Sequence, residues 1–264
     1  MIQRLICFYM LIASATLFSQ EQKLVASKLN SLEIEADTFV GYDNLGYYYY
    51  VKNNVFFKQK EAELWQFQNV ALGEITKIDI LNPLKIVVFY ENFNQVILLD
   101  NQLNEIMNLN FSDLQDPITA HAVGMCAQNN LWVFNSISQK IGLFNFESKK
   151  FVSLNQPIKN NFIFYQSDFN HFYWVNENSQ SYNIDYFGKI TTLNKILPFE
   201  VLQFEEELGI FILKNGCLYY SKLNAPETFL VPIDEKTIKS FAVKNKILSI
   251  FTGKQIVNYN LNLP

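Results

Sequence analysis

The chain has 264 residues, 49% hydrophobic, 17% charged and 16% aromatic, with a formal net charge of −4. Low charge and plentiful bulky apolar residues exclude strong disorder, and 9 Gly, 7 Pro and 3 Cys exclude collagen-like and disulfide-scaffold classes. Arg4 is the only arginine, so beyond residue 20 the chain carries 20 Lys and no Arg against 25 Asp plus Glu. Such a chain has no basic face to neutralise phosphates and no guanidinium to read guanine, which excludes nucleic acid as its partner. The length fits one or two domains and suffices for a sizeable core. The abundance of Asn, Lys, Ile and Phe matches an AT-rich coding bias, so Asn in loops carries little functional weight.

Residues 1–20, MIQRLICFYMLIASATLFSQ, read as an export signal. Arg4 supplies the positive start, Leu5 to Ile12 the apolar stretch, and Ala13-Ser14-Ala15 opens a small, polar flank. The apolar run is short for a bilayer span, which favours a cleaved signal, with an uncleaved membrane tether as the alternative. Cleavage is expected near Ser19 or Gln20, leaving residues 21–264 as one domain in the periplasm or outside the cell. Cys7 precedes any position at which a lipid-bearing cysteine would stand. No later segment has 18 uninterrupted apolar residues, so no further membrane span is expected.

Short apolar runs follow, in chain order: Tyr47–Val51, Ile86–Tyr90, Leu131–Phe134, Phe172–Val175, Ile210–Leu213 and Ile247–Phe251. Each is too short for an ordinary helix, is rich in Val, Ile, Phe and Tyr, and follows a turn signal such as Asn82-Pro83 or Lys244-Asn245. Successive runs are roughly 36 to 46 residues apart, a spacing at which repeated four-strand units recur. After each run come a polar turn, a further strand (Gln95–Leu99, Lys140–Phe144, Gln180–Tyr186, Cys217–Tyr220, Gln255–Tyr259), and then an outer strand. Asp185 and Gly188 mark one outer turn, and Leu99–Ile106 is a longer copy of it. Pro117, Pro157, Pro198 and Pro232 all fall between an outer strand and the next inner one, where a residue without an N–H belongs.

The second strand of each unit is apolar on both faces, as a strand flanked by neighbouring sheets should be. Inner strands are placed near Asp37, Thr76, Ile118, Asn161, Glu200 and Thr237, giving six units. The sixth lacks an outer strand, while Lys23–Ser27 is a strand-like segment without a unit. Pairing the two closes a ring and removes both exposed edges. On these grounds the chain resembles the β-propeller superfamily over nearly all of residues 21–264. The expected fold is all-β: a six-bladed propeller of four-stranded antiparallel blades closed by the N-terminal strand, with seven blades as the alternative. It has neither the Trp-Asp dipeptide of WD40 repeats nor the Gly-Gly pair of kelch repeats. The Asp185–Lys189 turn is similar to turns in NHL and quinoprotein-type blades.

No catalytic, cofactor-binding or metal-binding residue is assigned. His121 lies on an expected inner strand and is placed facing the central channel, and His171 opens a strand after a turn. His-x-x-x-His, Cys-x-x-Cys, Gly-x-Gly, Gly-x-Ser-x-Gly and calcium-loop patterns are absent from the sequence. His121 and Cys126 are five positions apart on a strand and face opposite sides. Glu205-Glu206-Glu207, with Glu200, forms the densest acidic patch and reads as a solvated turn before Gly209. Cys126 and Cys217 read as two buried small hydrophobes, with pairing in an oxidising compartment as the alternative. The aromatic stretches Tyr47–Tyr50, Phe162–Tyr165 and Phe172–Trp174 read as filling between blades rather than platforms for sugars. By elimination the sequence points to an exported, non-catalytic scaffold with a protein partner in the cell envelope. The alternatives are a small-ligand or glycan binder using the central channel and an enzyme whose carboxylates are dispersed over several blades.

Overall fold

A computed structural model describes residues 24–264 except Asn160 and Pro226. The expected export signal, residues 1–20, lies outside the described residues. A first strand, β1 (Val25–Glu33), precedes six sheets. The first blade is β2 (Thr38–Tyr42), β3 (Tyr48–Lys52), β4 (Val55–Lys60) and β5 (Glu63–Phe67). The second is β6 (Lys77–Asp79), β7 (Ile86–Tyr90), β8 (Gln95–Leu99) and β9 (Glu105–Asn110). The third is β10 (Ala120–Met125), β11 (Asn130–Asn135), β12 (Lys140–Asn145) and β13 (Lys150–Ser153). The fourth is β14 (Phe162–Ser167), β15 (His171–Asn176), β16 (Gln180–Asp185) and β17 (Ile190–Lys195). The fifth is β18 (Val201–Glu205), β19 (Gly209–Lys214), β20 (Cys217–Ser221) and β21 (Phe229–Leu230). The sixth is β22 (Ser240–Lys244), β23 (Ile247–Phe251) and β24 (Gln255–Asn262), completed by β1.

Every blade is four antiparallel strands in a meander, and the six blades form a ring, a β-propeller. Seven blades are therefore not what the chain makes. β1 pairs with β24 from Val25↔Asn262 to Glu33↔Gln255, with one register shift between Lys28 and Asn30. The closing strand thus runs well past the expected Lys23–Ser27, of which Lys23 lies outside the described residues. The extension was hidden because β1 is exposed along most of its length. Its place is fixed by backbone pairing, which leaves no apolar signature.

The second strands explain the ring. Side chains on a strand alternate between its two faces, and here each face meets a different neighbour. Phe172 and Trp174 of β15 pack back onto Trp132, Phe134 and Ile141 of the third blade. Tyr173 and Val175 pack forward onto Leu202, Phe204, Ile210 and Ile212 of the fifth. The same division recurs at the other junctions, the sixth-to-first one being filled by Phe39, Tyr50, Ala242, Phe251 and Ile256. The aromatic stretches are accordingly internal: Tyr49, Tyr50, Phe172, Tyr173 and Trp174 are all buried.

Turn chemistry gives the many asparagines a structural use. Asn53 and Asn54 (φ 51° and 58°), and Asn245 with Lys246 (51° and 63°), form two-residue hairpin turns that need positive φ at both positions. A second turn type also repeats. Asp185 Oδ1 accepts from the N–H groups of Phe187 and Lys189, both at 2.9 Å, and Asp100 Oδ1 does the same for Gln102 and Asn104 at 2.8 Å. The residue three after each aspartate is left-handed, Gly188 at φ 88° and Leu103 at φ 61°.

Gly188→Ala tests the turn. A Cβ there would lie 2.6 Å from the Leu154 carbonyl oxygen, whereas Gly216, also at positive φ, has open space around it. Gly188→Ala should lose about 1–3 kcal/mol and melt about 3–10 °C lower. Gly216→Ala should show only the smaller loss due to backbone strain, and equal midpoints for the two variants would contradict the turn assignment.

Candidate functional site

The blade meander gives the disc two faces. One carries the turns joining first to second and third to fourth strands; the other carries the second-to-third turns and the crossings between blades. Around the axis the inner strands present equivalent positions Gly41, Asp79, Gly124, Gln166, Gln203 and Ala242, each paired in register with the second strand beside it. Three of these positions tie one blade to the next. Gln166 donates to the Phe204 carbonyl at 2.7 Å and accepts from the Phe204 N–H at 2.9 Å. Gln203 repeats this on Val243 at 2.7 and 2.8 Å. Asp79 accepts from the Met125 N–H at 2.8 Å and from Ser167 Oγ at 3.2 Å. Their partners are backbone groups of inner-strand edges, which have no strand to pair with on that side. The other three positions are small, and a Cβ on Gly124 would collide with Ser167.

Burial raises the Asp79 carboxyl above its ordinary range in spite of its donors and lowers the Lys77 ammonium two residues away. The Lys77 Nζ lies 5.3 Å from the Tyr165 ring centre, and the Tyr165 hydroxyl is buried without a hydrogen-bond partner. His121, on inner strand β10, is half-exposed and pairs through Nδ1 with Glu91 Oε1 at 2.5 Å across the junction between the second and third blades. Cys126 is buried, donates its thiol to the Phe169 carbonyl at 3.4 Å and is pushed by burial up to about 12, so it is an inert thiol. Cys217 is exposed at the start of β20 and both cysteines are free, which corrects the expectation of two buried residues. Its side chain falls on the outward phase of a half-buried strand.

The structure splits the acidic patch. Glu200 precedes β18 and accepts from the Asn215 N–H at 2.7 Å, at the opposite end of that strand from Glu205. Glu205 turns inward, and burial, together with the Asp168 and Glu207 charges, pushes its carboxyl up to about 7 against the Gln203 amide and Lys244. It is therefore no solvated turn residue. Glu206 approaches His171 of the neighbouring blade: its Oε1 lies 3.5 Å from His171 Nδ1. The same nitrogen is 3.5 Å from Asp168 Oδ1, so Asp168, His171 and Glu206 converge at one point. Local sequence patterns missed this cluster because its members come from turns of two blades; only the inward turn of one blade register against the next brings them together.

Two other features are already spent. The stretch Tyr47–Tyr50 surrounds a lysine rather than offering a platform. Lys58 Nζ lies 4.4 Å from the Tyr47 ring centre and 5.4 Å from that of Trp65, and donates to the Asn101 carbonyl at 2.7 Å. A rim cleft of about 530 Å³ between the fourth and fifth blades is lined by Asn194, Ile196, Ile212, Ser221 and Thr228, among others. The Asn194 amide there is held by the Lys222 and Ala225 carbonyls at 3.1 and 2.5 Å.

No protein-family model matches the chain, and no curated protein matches its sequence. Solved structures share its architecture. Catalytically inactive H270A virginiamycin B lyase from Staphylococcus aureus with quinupristin is 10% identical, with a TM-score of 0.54 over 92% of this chain and 99% of that one. BBS1N in complex with ARL6 is 12% identical, with a TM-score of 0.55 over 90% and 97%. The extracellular domain of the one-component-system protein BT4673 from B. thetaiotaomicron is 10% identical, with a TM-score of 0.50 over 90% of this chain and 40% of that one. At such identities the likeness is one of fold. No described helix is long and apolar enough to cross a membrane.

The Glu205 site predicts a pH dependence with a definite sign. A carboxyl raised from its ordinary value of 4.5 to about 7 holds its proton longer when folded, so it costs stability as pH rises through that interval. Glu205→Gln keeps the shape and removes the titration. Relative to the parent, the variant should gain roughly 2–3 kcal/mol between pH 4 and pH 8, one pKa unit being about 1.4 kcal/mol. Urea titrations at both pH values check this; a pH-independent difference would contradict the burial of Glu205.

Proposed function

We propose that the protein is an exported, non-catalytic scaffold that docks a protein partner in the cell envelope on the disc face carrying the first-to-second turns. One observation carries this reading: large apolar side chains stand at the turn tips of that face. Phe187 is 91% exposed, Leu84 67%, Leu45 66% and Phe169 39%. They belong to three different blades but to one face. Neither Leu45 nor Phe187 is needed by the turn that bears it, since Asp43 and Asp185 hold those turns through carboxylate–backbone bonds. Leaving apolar groups in water gains the fold nothing, whereas aromatic tips ringed by polar residues suit a protein interface. Phe187 sits beside Tyr186, their rings edge to face at 6.1 Å.

The net charge of the chain and its lack of arginine after residue 4 support a protein rather than a nucleic acid as partner. The order Arg4, apolar stretch and small residues supports export and cleavage near residue 20. BBS1N, a fold neighbour, is held in complex with a protein, and BT4673 supplies an extracellular propeller-like domain. A second reading, a small ligand in the central channel, is favoured by the unpartnered Tyr165 hydroxyl beside Lys77.

The experiment combines location and face. Mass spectrometry of protein from the envelope fraction should show a mature N-terminus near residue 20 or 21. A photo-crosslinking residue at Phe187 should give a discrete higher-mass adduct in cells, weakened by Phe169→Ser, while one at rim residue Val152 should give none. An intact Met1 in the cytoplasm would contradict export. Equal crosslinking from both positions would contradict a docking face.

A further inference from the structure

Around His171 three lone-pair-bearing atoms converge with no hydrogen bond between them. His171 Nδ1 is buried and has no hydrogen-bond partner, although Asp168 Oδ1 and Glu206 Oε1 each lie 3.5 Å away. Left neutral and bare, such a nitrogen would face two carboxylates across a gap too long for a good hydrogen bond. The gap has a different meaning for a metal. Ligand atoms bound at about 2.1 Å in a tetrahedron stand about 3.4 Å apart.

Asp168 is held in place by its own turn and strand. Asp168 Oδ1 accepts from the N–H groups of Asn170 and His171 at 2.7 and 2.6 Å, and its Oδ2 accepts from the Tyr173 hydroxyl at 3.0 Å. Donors of this kind fix a ligating carboxylate as outer-shell partners do.

The geometry points to a divalent cation of the zinc class bound by Asp168 Oδ1, His171 Nδ1 and Glu206 Oε1, with a fourth position left to water or to a group of a docked partner. One imidazole nitrogen with two carboxylate oxygens suits zinc and its transition-metal neighbours better than the all-oxygen sets chosen by calcium or magnesium. The cation would brace two turns of different blades. One of these carries Phe169, between Asp168 and His171, so metal loading would stiffen part of the proposed docking face. The site itself stands independently of that face.

Isothermal titration of the metal-stripped mature protein with zinc chloride should show one site per chain, and zinc should raise the melting temperature. Glu206→Gln, at an exposed turn position, should fold normally and weaken zinc binding by more than about tenfold. His171→Ala should abolish both the binding and the thermal shift. Cys217→Ser and His121→Ala should bind zinc like the parent, which separates this site from the exposed thiol and the other histidine. Absence of stoichiometric binding by the parent would overturn the proposal. Binding that survives both Glu206→Gln and His171→Ala would overturn it too.

Discussion

The structure depends on second strands that must be buried on both faces. Ile86–Tyr90 is buried at all five positions, the second strands of the third to sixth blades are nearly so, and β3 of the first blade is buried at Tyr49 and Tyr50. A blade alone would leave these rows in water on two sides, at a cost of about 1.5–3 kcal/mol for each large apolar side chain. Each blade therefore needs a neighbour on either side, and the last needs the first. Closure follows from this requirement, and the β1–β24 pairing holds it. The closing junction is also tied by polar groups. Asn258 donates to Asn30 and lies 2.8 Å from the Tyr48 hydroxyl, while Ser249 donates to Asn258 at 2.6 Å. The Tyr42 hydroxyl lies 2.7 Å from both the Lys244 and Ile247 carbonyls. These contacts join β1, the first blade and the sixth blade into one seam.

The centre of the ring poses the complementary problem. Six inner strands arrive at the axis with edges that no seventh strand can pair. Gln166, Gln203 and Asp79 meet part of this need by reaching the backbone of the following blade. Gly124 leaves room for Asp79 and Ser167, whose oxygens a Cβ there would meet at 3.2 and 1.9 Å. The Asp79 carboxyl remains raised by burial, so its bonds to Met125, Leu81 and Ser167 do not fully replace water.

Blade number, strand order and the starts of the inner strands were legible in the sequence because apolar runs, turn residues and prolines share one period. Pro117, Pro157, Pro198 and Pro232 do lie in the crossings between blades. The length of β1 was not legible, since a rim strand held by its backbone needs no apolar alternation. The site was legible only in fragments. His171 reads only as the residue that opens a strand and Glu206 as part of a solvated run, because the residues that each meets in space are distant in the chain. Glu205 shows the limit most clearly: one of three adjacent glutamates is half-buried while the other two are exposed, and which one depends on the phase of β18 against the next blade.

The scaffold reading and the cation site both rest on turns held in fixed relation by a closed ring. Closure is tested most directly by comparing the mature chain with one that begins at Ile34 and so lacks β1. The account expects the shortened protein to melt about 10 °C or more below its parent and to self-associate through the unpaired edge of Gln255–Asn262, where Ile256 and Val257 lie in an exposed ladder. An unchanged midpoint with monomeric elution would mean that the N-terminal strand is an appendage and that something else closes the ring.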